Sequence, residues 1–308
     1  MSLAITTSYA GEFSGKYIAA ALLSGDTLAN EEITIMPNVR FKSVIQKAST
    51  NNIVRDASCD FQTGQGTLTL TEQILEPKEF QVNLDLSKKD LFATWQGAEM
   101  GYSQYADLPA SFSDFVLAHV AAKVSDFTET QIWSGAGGAG SFSGFATLLA
   151  ADAALPALQE IAAVGGGVNA ANVIAQMGSV VDAIPTTVYG KDDLRLYVSS
   201  NVGRAYTRAL GGFAGTGNAG YDSKGTNQVL GNLFFDGVQV VVSKGMADNT
   251  MIAAEKSNLF FGTGLLNESQ EVRTIDMQEV DGSMNVRVIL RYTAGVQYGE
   301  VTDIVLYA

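Results

Sequence analysis

The sequence predicts a mixed α+β chain, and three observations carry that prediction. Apolar residues alternate with polar ones before residue 87, as on half-buried strands. One long stretch, 111–132, instead places them at three- and four-residue steps, the spacing of an amphipathic helix. Beyond it, short helical patterns alternate with apolar runs of strand length up to the C terminus. The 308 residues suffice for two domains of ordinary size or one large one.

Taken in order, residues 1–30 are small, polar and glycine-spotted, with one short helical pattern at 14–23. They hold too little apolar surface to fold alone and read as an arm that orders against something else. From Glu31 the period becomes two: Ile33 and Ile35 alternate with Glu32 and Thr34, and past Pro37, Val39 and Phe41 alternate with Arg40 and Lys42. Residues 49–66 are polar and turn-rich. Strand alternation returns at Leu68 and Leu70, and again at Phe80, Val82, Leu84 and Leu86. Strand runs on both sides of a polar tip imply a long hairpin-like excursion over about 39–86. Such a ribbon is not stable alone in water, so it lies on its own body or on a neighbour.

Ser111 and Asp114 have capping-box spacing, and Phe112, Phe115, Val116, His119, Val120, Val124 and Phe127 follow on one helical face. The helix of about 22 residues spans ~33 Å and ends at Gly135 and the run GAGGAG. An alanine-rich segment leads to a second helix, capped by Asn169, buried through Val173, Ile174, Met177, Val180, Val181 and Ile184, and stopped at Pro185. Residues 194–200 read as a core strand and 201–210 as a short helix. Residues 211–227 are a flexible loop of the length at which loops are functional or disordered. Residues 238–243 form a buried strand, 251–262 two short strands around a polar turn, and 284–292 and 303–308 the closing strands.

Composition excludes several functions. Lys plus Arg number 19 against 32 Asp plus Glu, a formal net charge of −13, which argues against a general phosphate binder with clustered cations. Charged residues are 17% of the chain, below the ~25% of a typical soluble domain, so much of the surface is expected to be covered by assembly. One histidine, His119, and one cysteine, Cys59, permit neither an internal disulfide nor the common His/Cys zinc sites. A Ser-His-Asp triad would have to use His119, which the helical spacing reads as a packed or solvated residue. No run nears the ~18 apolar residues of a membrane span. The apolar residues 17–23 make too short a core for a secretory signal. The expectation is a soluble protein made in a reducing compartment, with no membrane association.

Candidate chemistry is sparse. The glycine runs 135–144 and 211–220 lack the Lys-Ser/Thr pair and the strand-to-helix setting of a phosphate cradle, and read as turns, the second as a mobile loop at an assembly axis. Glu31 and Glu32 point to opposite faces of a strand. These two, Asp192 and Asp193, and the group Asp276, Glu279 and Asp281 read as solvated acids. No calcium-loop motif is present. Lys42, Lys47 and Arg55, among Asp56, Asp60, Glu72 and Glu76, are either intermolecular salt bridges or a solvated face, and the sequence leaves both open. Cys59 has no helper nearby in sequence and reads as incidental. The reading is therefore no enzyme, no cofactor and no metal.

The order of parts carries more than any motif. It runs arm, two-stranded excursion, long helix, glycine turn, α/β body with a flexible loop, and a return to strands. The stretches MPNVRFKSVIQKAS with FQVNLDL, SFSDFVLAHVAAKVSDFTETQIW, LRLYVSSNVGRAYTRAL and LFFDGVQVVVSKGMADNTMIAAEKSNLFFGTGL fill those places. In this arrangement the chain resembles the major capsid proteins of tailed bacteriophages, the Hong Kong 97-type fold. The resemblance implies an N-terminal arm at 1–36, an E-loop at 37–87, a peripheral domain with a spine helix at 88–145, an axial domain at 146–270, and returning strands at 271–308.

It also implies a function: a head protein that self-assembles into pentamers and hexamers of an icosahedral shell around double-stranded DNA, held without sequence-specific binding. The expected location is the virion, after assembly in the host cytoplasm. Partners would be other copies of the chain, with portal and decoration proteins; Met1, close to the start of the arm, leads us to expect a separate scaffolding protein rather than a mature form numbered from a new start. Some relatives cross-link an E-loop lysine to a neighbour's asparagine, but Lys42 and Lys47 do not lie at the tip, so that chemistry is not carried over. Exposure selects Asn51, Asn52, Arg55 and Asp60 at the excursion tip, and Phe213, Asn218 and Tyr221 on the axial loop, as subunit contacts. The alternatives are an encapsulin-type shell around an enzyme cargo, a phage tail-tube protein, which would lack the long helix, and a hydrolase or cofactor enzyme.

Overall fold

The structure is a computed structural model, and it describes residues 25–39, 41–51, 54, 56, 59, 66–87, 110–210, 233–264 and 273–308. In chain order, a short helix α1 (Asp26–Ala29) leads to β1 (Thr34–Pro37), β2 (Ser43–Asn51), β3 (Thr67–Leu75) and β4 (Lys78–Ser87). The long helix α2 (Ala110–Ser134) and α3 (Phe145–Ala151) follow, then β5 (Glu160–Ile161), α4 (Val173–Asp182), β6 (Leu194–Ser199) and α5 (Ser200–Ala209). The chain continues as β7 (Leu233–Phe235), β8 (Val238–Ser243), β9 (Met251–Glu255), β10 (Leu259–Thr263), β11 (Arg273–Asp276), β12 (Asn285–Tyr298) and β13 (Val305–Tyr307).

The strands form a six-stranded sheet in the order β5-β13-β9-β6-β8-β7, a five-stranded sheet, and a separate two-stranded ribbon of β2 and β3. In the five-stranded sheet β1, β10, β12 and β11 are neighbours, and β4 adds to β12. The centre of the six-stranded sheet is covered on both faces, which is why its strands read as continuous apolar runs. Leu196, Val198, Met251, Ala253, Val305 and Tyr307 face one core with α4 and α5. Tyr197, Ile252, Ala254 and Leu306 face a second core with Ile132 and Trp133 of α2 and Val288, Leu290 and Tyr292 of β12.

The polar turn inside 251–262 is the crossover between the sheets. β9 pairs with β6 and β13, whereas β10, one 3₁₀ turn later, pairs with β1 and β12. β12 joins two regions in the same way: residues 285–294 pair with β4, and 295–298 pair with β10.

Several sequence expectations change. The excursion does not return along 80–86: its second strand is β3, and β4 turns back into the five-stranded sheet along β12. Pro77 separates them, and the apolar side of β4 packs on the core through Phe80, Val82 and Leu84. Val39 and Phe41 are not on a strand, because Asn38 takes φ 65° and turns the chain there. α2 already includes Ser111, so that residue is inside the helix rather than its cap. His119 is exposed rather than part of the apolar stripe, while Val120 and Val124 are buried. On α4 the cap position is Asn172; Asn169 accepts from the Ala171 amide one turn earlier, and Ile174 is half exposed while the rest of its predicted face is buried. The arm helix at 14–23 and the loop 211–227 lie outside the described residues.

Candidate subunit-contact surfaces

Pairing in the β2–β3 ribbon runs from Ser43↔Leu75 to Asn51↔Thr67 without a break. Because side chains alternate across a strand, this register sorts the ribbon into two unlike faces. One carries Val44 opposite Ile74, Gln46 opposite Glu72, Ala48 opposite Leu70, and Thr50 opposite Leu68. All eight are exposed, with Leu68 at 64% and Leu70 at 72%. The row Val44, Ile74, Ala48, Leu70, Leu68 is thus an apolar stripe that its own chain leaves in water.

The other face grips the body at its base and leaves it toward the tip. Leu75 is fully buried, Ser43, Ile45, Lys47 and Gln73 are half-buried, and Thr71 and Thr69 are exposed. Lys47 forms an ion pair with Glu300, and Gln297 donates to Gln73 Oε1 at 3.2 Å and to the Ile74 carbonyl at 3.3 Å. At the root Lys42 pairs with Glu76 at 3.1 Å. Both lysines that could have bridged to a neighbour are therefore engaged within the chain.

The close seat of this base depends on two glycines. Gly262 on β10 and Gly295 on β12 are register partners, side by side on the five-stranded sheet. A Cβ on Gly262 would stand 2.7 Å from Leu75 Cδ2, and one on Gly295 2.9 Å from Pro77 Cα. Stripped of side chains there, the sheet admits the end of β3 and the turn into β4.

The glycine run after α2 is a closed turn. Ala136 and Ser143 form a bridge, Gly137 and Gly140 take φ 77° and 75°, and Lys78 Nζ donates to the carbonyls of Gly137 and Ser141, both at 2.9 Å. Its carbonyls converge on a cation, the opposite of a phosphate cradle.

At the far edge of the six-stranded sheet, an open cleft of about 510 Å³ is lined by Val181, Asp182, Ile184, Thr186, Tyr189 and Asp236. Tyr189 Oη donates to the Asp236 carbonyl at 2.9 Å. Among the described residues, no group of three or more His, Cys, Asp or Glu is placed to hold a metal, and no helix is long and apolar enough to cross a membrane.

Of the residues selected from sequence, Asn51 ends β2 opposite Thr67. Asn52, Arg55, Asp60, Phe213, Asn218 and Tyr221 lie outside the described residues. The exposed apolar stripe was missed as a candidate contact, although its signal was present in the alternation of Leu68 and Leu70 with threonines.

No protein-family profile matches the chain, and no curated protein matches it in sequence. Solved structures match along nearly its whole length. The capsid of a native GTA particle is 12% identical, with a TM-score of 0.59, over 94% of this chain and 89% of that one. A procapsid of satellite phage P4 that includes a size-determination protein is 12% identical, with a TM-score of 0.55, over 95% and 97%. A virus-like particle from Pyrococcus furiosus is 9% identical, with a TM-score of 0.53, over 97% and 100%. The chain thus has the Hong Kong 97-type α+β fold.

Proposed function

We propose that the chain is the major capsid protein of a tailed bacteriophage, a subunit that assembles with copies of itself into the pentamers and hexamers of an icosahedral shell around double-stranded DNA. The observation that carries this reading is the apolar stripe of the β2–β3 ribbon, held out from a body to which the ribbon's other face is fastened. Full burial of a Leu, Ile or Val side chain is worth ~1.5–3 kcal/mol, and much of that remains to be gained here, most at Leu68 and Leu70, which stay 64% and 72% exposed. A neighbouring subunit supplies the cover, and closed symmetry repeats the contact around every axis of the shell. Contacts of a few thousand Å² per subunit place such a shell in the obligate range.

No step in this function requires a catalytic residue, and the chain acts as a structural protein of the virion, assembled in the host cytoplasm. Scaffolding, portal and decoration proteins are its expected partners. The formal charge of −13 suits a lumen that does not grip packaged DNA. The capsid likenesses do not favour the encapsulin alternative, and a tail-tube protein would lack the 25-residue helix.

Negative-stain microscopy of the protein expressed alone, with size-exclusion light scattering beside it, tests the proposal. Closed shells or isolated pentamers and hexamers are expected, with nuclease-protected DNA in particles from infected cells. Open tubes with a tail-tube lattice would overturn it, and particles that enclose protein instead of DNA would turn it to the encapsulin alternative.

A further inference from the structure

The polar groups buried between α1 and the long helix form a connected set. Glu129 lies on the buried side of α2, 6% exposed, although charged residues at such positions are uncommon. Its carboxylate accepts from the Thr27 amide at 3.2 Å and from the Thr27 hydroxyl at 2.5 Å. The same hydroxyl accepts from Trp133 Nε1 at 2.9 Å, and Trp133 is fully buried against Tyr197 and Phe145. Thr27 and Leu28 are each 2% exposed, so this short segment is set into the body. The fit is steric as well: a Cβ on Gly25 would meet Glu129 Oε2 at 2.8 Å, and one on Gly245 would meet the Glu129 carbonyl oxygen at 2.0 Å.

The other described charges around the carboxyl have their own places. Asp26 on α1 pairs with Lys244 from the turn after β8 at 2.5 Å. Glu32, further along the docked segment, pairs with Arg195 of β6. On α2 itself Lys123 and Asp126 are exposed. Among the described residues Glu129 thus forms no ion pair, and its carboxylate is held by Thr27 of the docked segment and by Trp133 of its own helix.

We propose that residues 25–29 form a proton-linked latch, held more tightly on the long helix when the Glu129 carboxyl is neutral and more loosely when it is ionised. Burial first, and then the charge of Asp26, push this carboxyl above the ordinary carboxylate range, against the opposing pull of the Thr27 and Trp133 hydrogen bonds. Undocking opens Glu129 to water and returns it to its ordinary value. The docked form therefore takes up a proton more readily. Its extra stability is complete below the ordinary carboxylate pKa and is lost as pH rises through the raised one.

Hydrogen exchange of amides 26–30 in the full-length protein tests this between about pH 5 and 8, with rates normalised to intrinsic exchange and to strand β6. Protection of 26–30 is expected to fall with rising pH relative to that strand, and Glu129→Gln is expected to flatten the dependence. A flat profile in the wild type, or an unchanged slope in Glu129→Gln, would overturn the latch. If that variant does not fold, the emission of Trp133 in a Trp95→Phe protein serves instead. It should change along the same pH course as the exchange, and emission that stays constant while exchange changes would equally sink the proposal.

Discussion

The seat of the ribbon makes a prediction in which two harmful substitutions partly cancel. Leu75 is fully buried, so Leu75→Ala should cost ~2–5 kcal/mol, the transfer free energy plus the void it leaves. Gly262 has no unusual backbone angle, but its added methyl would stand 2.7 Å from Leu75 Cδ2 and 3.1 Å from Cγ. Gly262→Ala should therefore cost ~1–3 kcal/mol through overpacking. The three atoms nearest that methyl all belong to Leu75 and lie beyond its Cβ. In the Leu75→Ala background they are gone, and the methyl enters the void. There Gly262→Ala should be neutral or stabilising, aided by the ~0.4–1 kcal/mol of unfolded-state entropy that a glycine gives up on replacement. A double-mutant cycle by denaturant unfolding of the unassembled protein measures the coupling, expected at ~1–3 kcal/mol in the favourable direction. Additivity within ~0.5 kcal/mol would refute the claim that this glycine exists to admit Leu75.

The apolar stripe predicts a separation of stability from assembly: Leu68→Asp with Leu70→Asp should leave the unfolding midpoint of the isolated subunit within ~0.5 kcal/mol of wild type while abolishing assembled species in light scattering. Gly245→Ala should lower the melting temperature by the equivalent of ~1–3 kcal/mol or more, because its methyl would meet backbone at 2.0 Å rather than a side chain able to move. Burial pushes the Tyr292 hydroxyl up to about 12. Tyr197 and Tyr298 are raised by burial too, Tyr298 also by donating to Asp152. A neutral tyrosine favoured by the fold keeps its contribution below its ordinary pKa of ~10 and loses it as pH rises through the raised value. Stability should therefore decline from about pH 10 upward, and ultraviolet titration should find these hydroxyls ionising late, together with unfolding.

What the sequence revealed, and what it hid, follows from how far each signal reaches. Strands β6 and β8 and helix α5 were legible because burial on one or both faces writes itself into consecutive residues. The ribbon was legible as alternation, but alternation says only that a strand has two unlike faces. It does not say whether the apolar one is covered by the same chain. For β4 it is, through Phe80 against Tyr292 at 5.3 Å, and for β3 it is not. The two strands read alike, so the return strand of the excursion was misassigned. The Glu129 cluster was hidden for another reason: apolar periodicity on α2 fades after Phe127, just where Thr128 and Glu129 turn inward to meet a segment 102 residues away. A buried polar pair looks like a wet helix face until its partner is in place.

One position organises the excursion, and it explains how the chain can carry an exposed apolar row without collapsing onto it. Strand β12 changes partners between Ala294, its last residue paired with β4, and Gly295, its first paired with β10. At that changeover the turn from β3 to β4 crosses the sheet, with Pro77 above Gly295 and Leu75 above Gly262. The crossing is steric and buried, so it sets the direction in which the ribbon departs. The Lys47–Glu300 pair and the Gln297 bonds hold the same side of the ribbon further along. Both sets of contacts use the face that includes Leu75, so the register places Val44, Ala48, Leu68, Leu70 and Ile74 on the side turned away from the body. Folding the stripe back onto its own chain would require breaking this seat. Covering it with another copy requires only that the copy arrive.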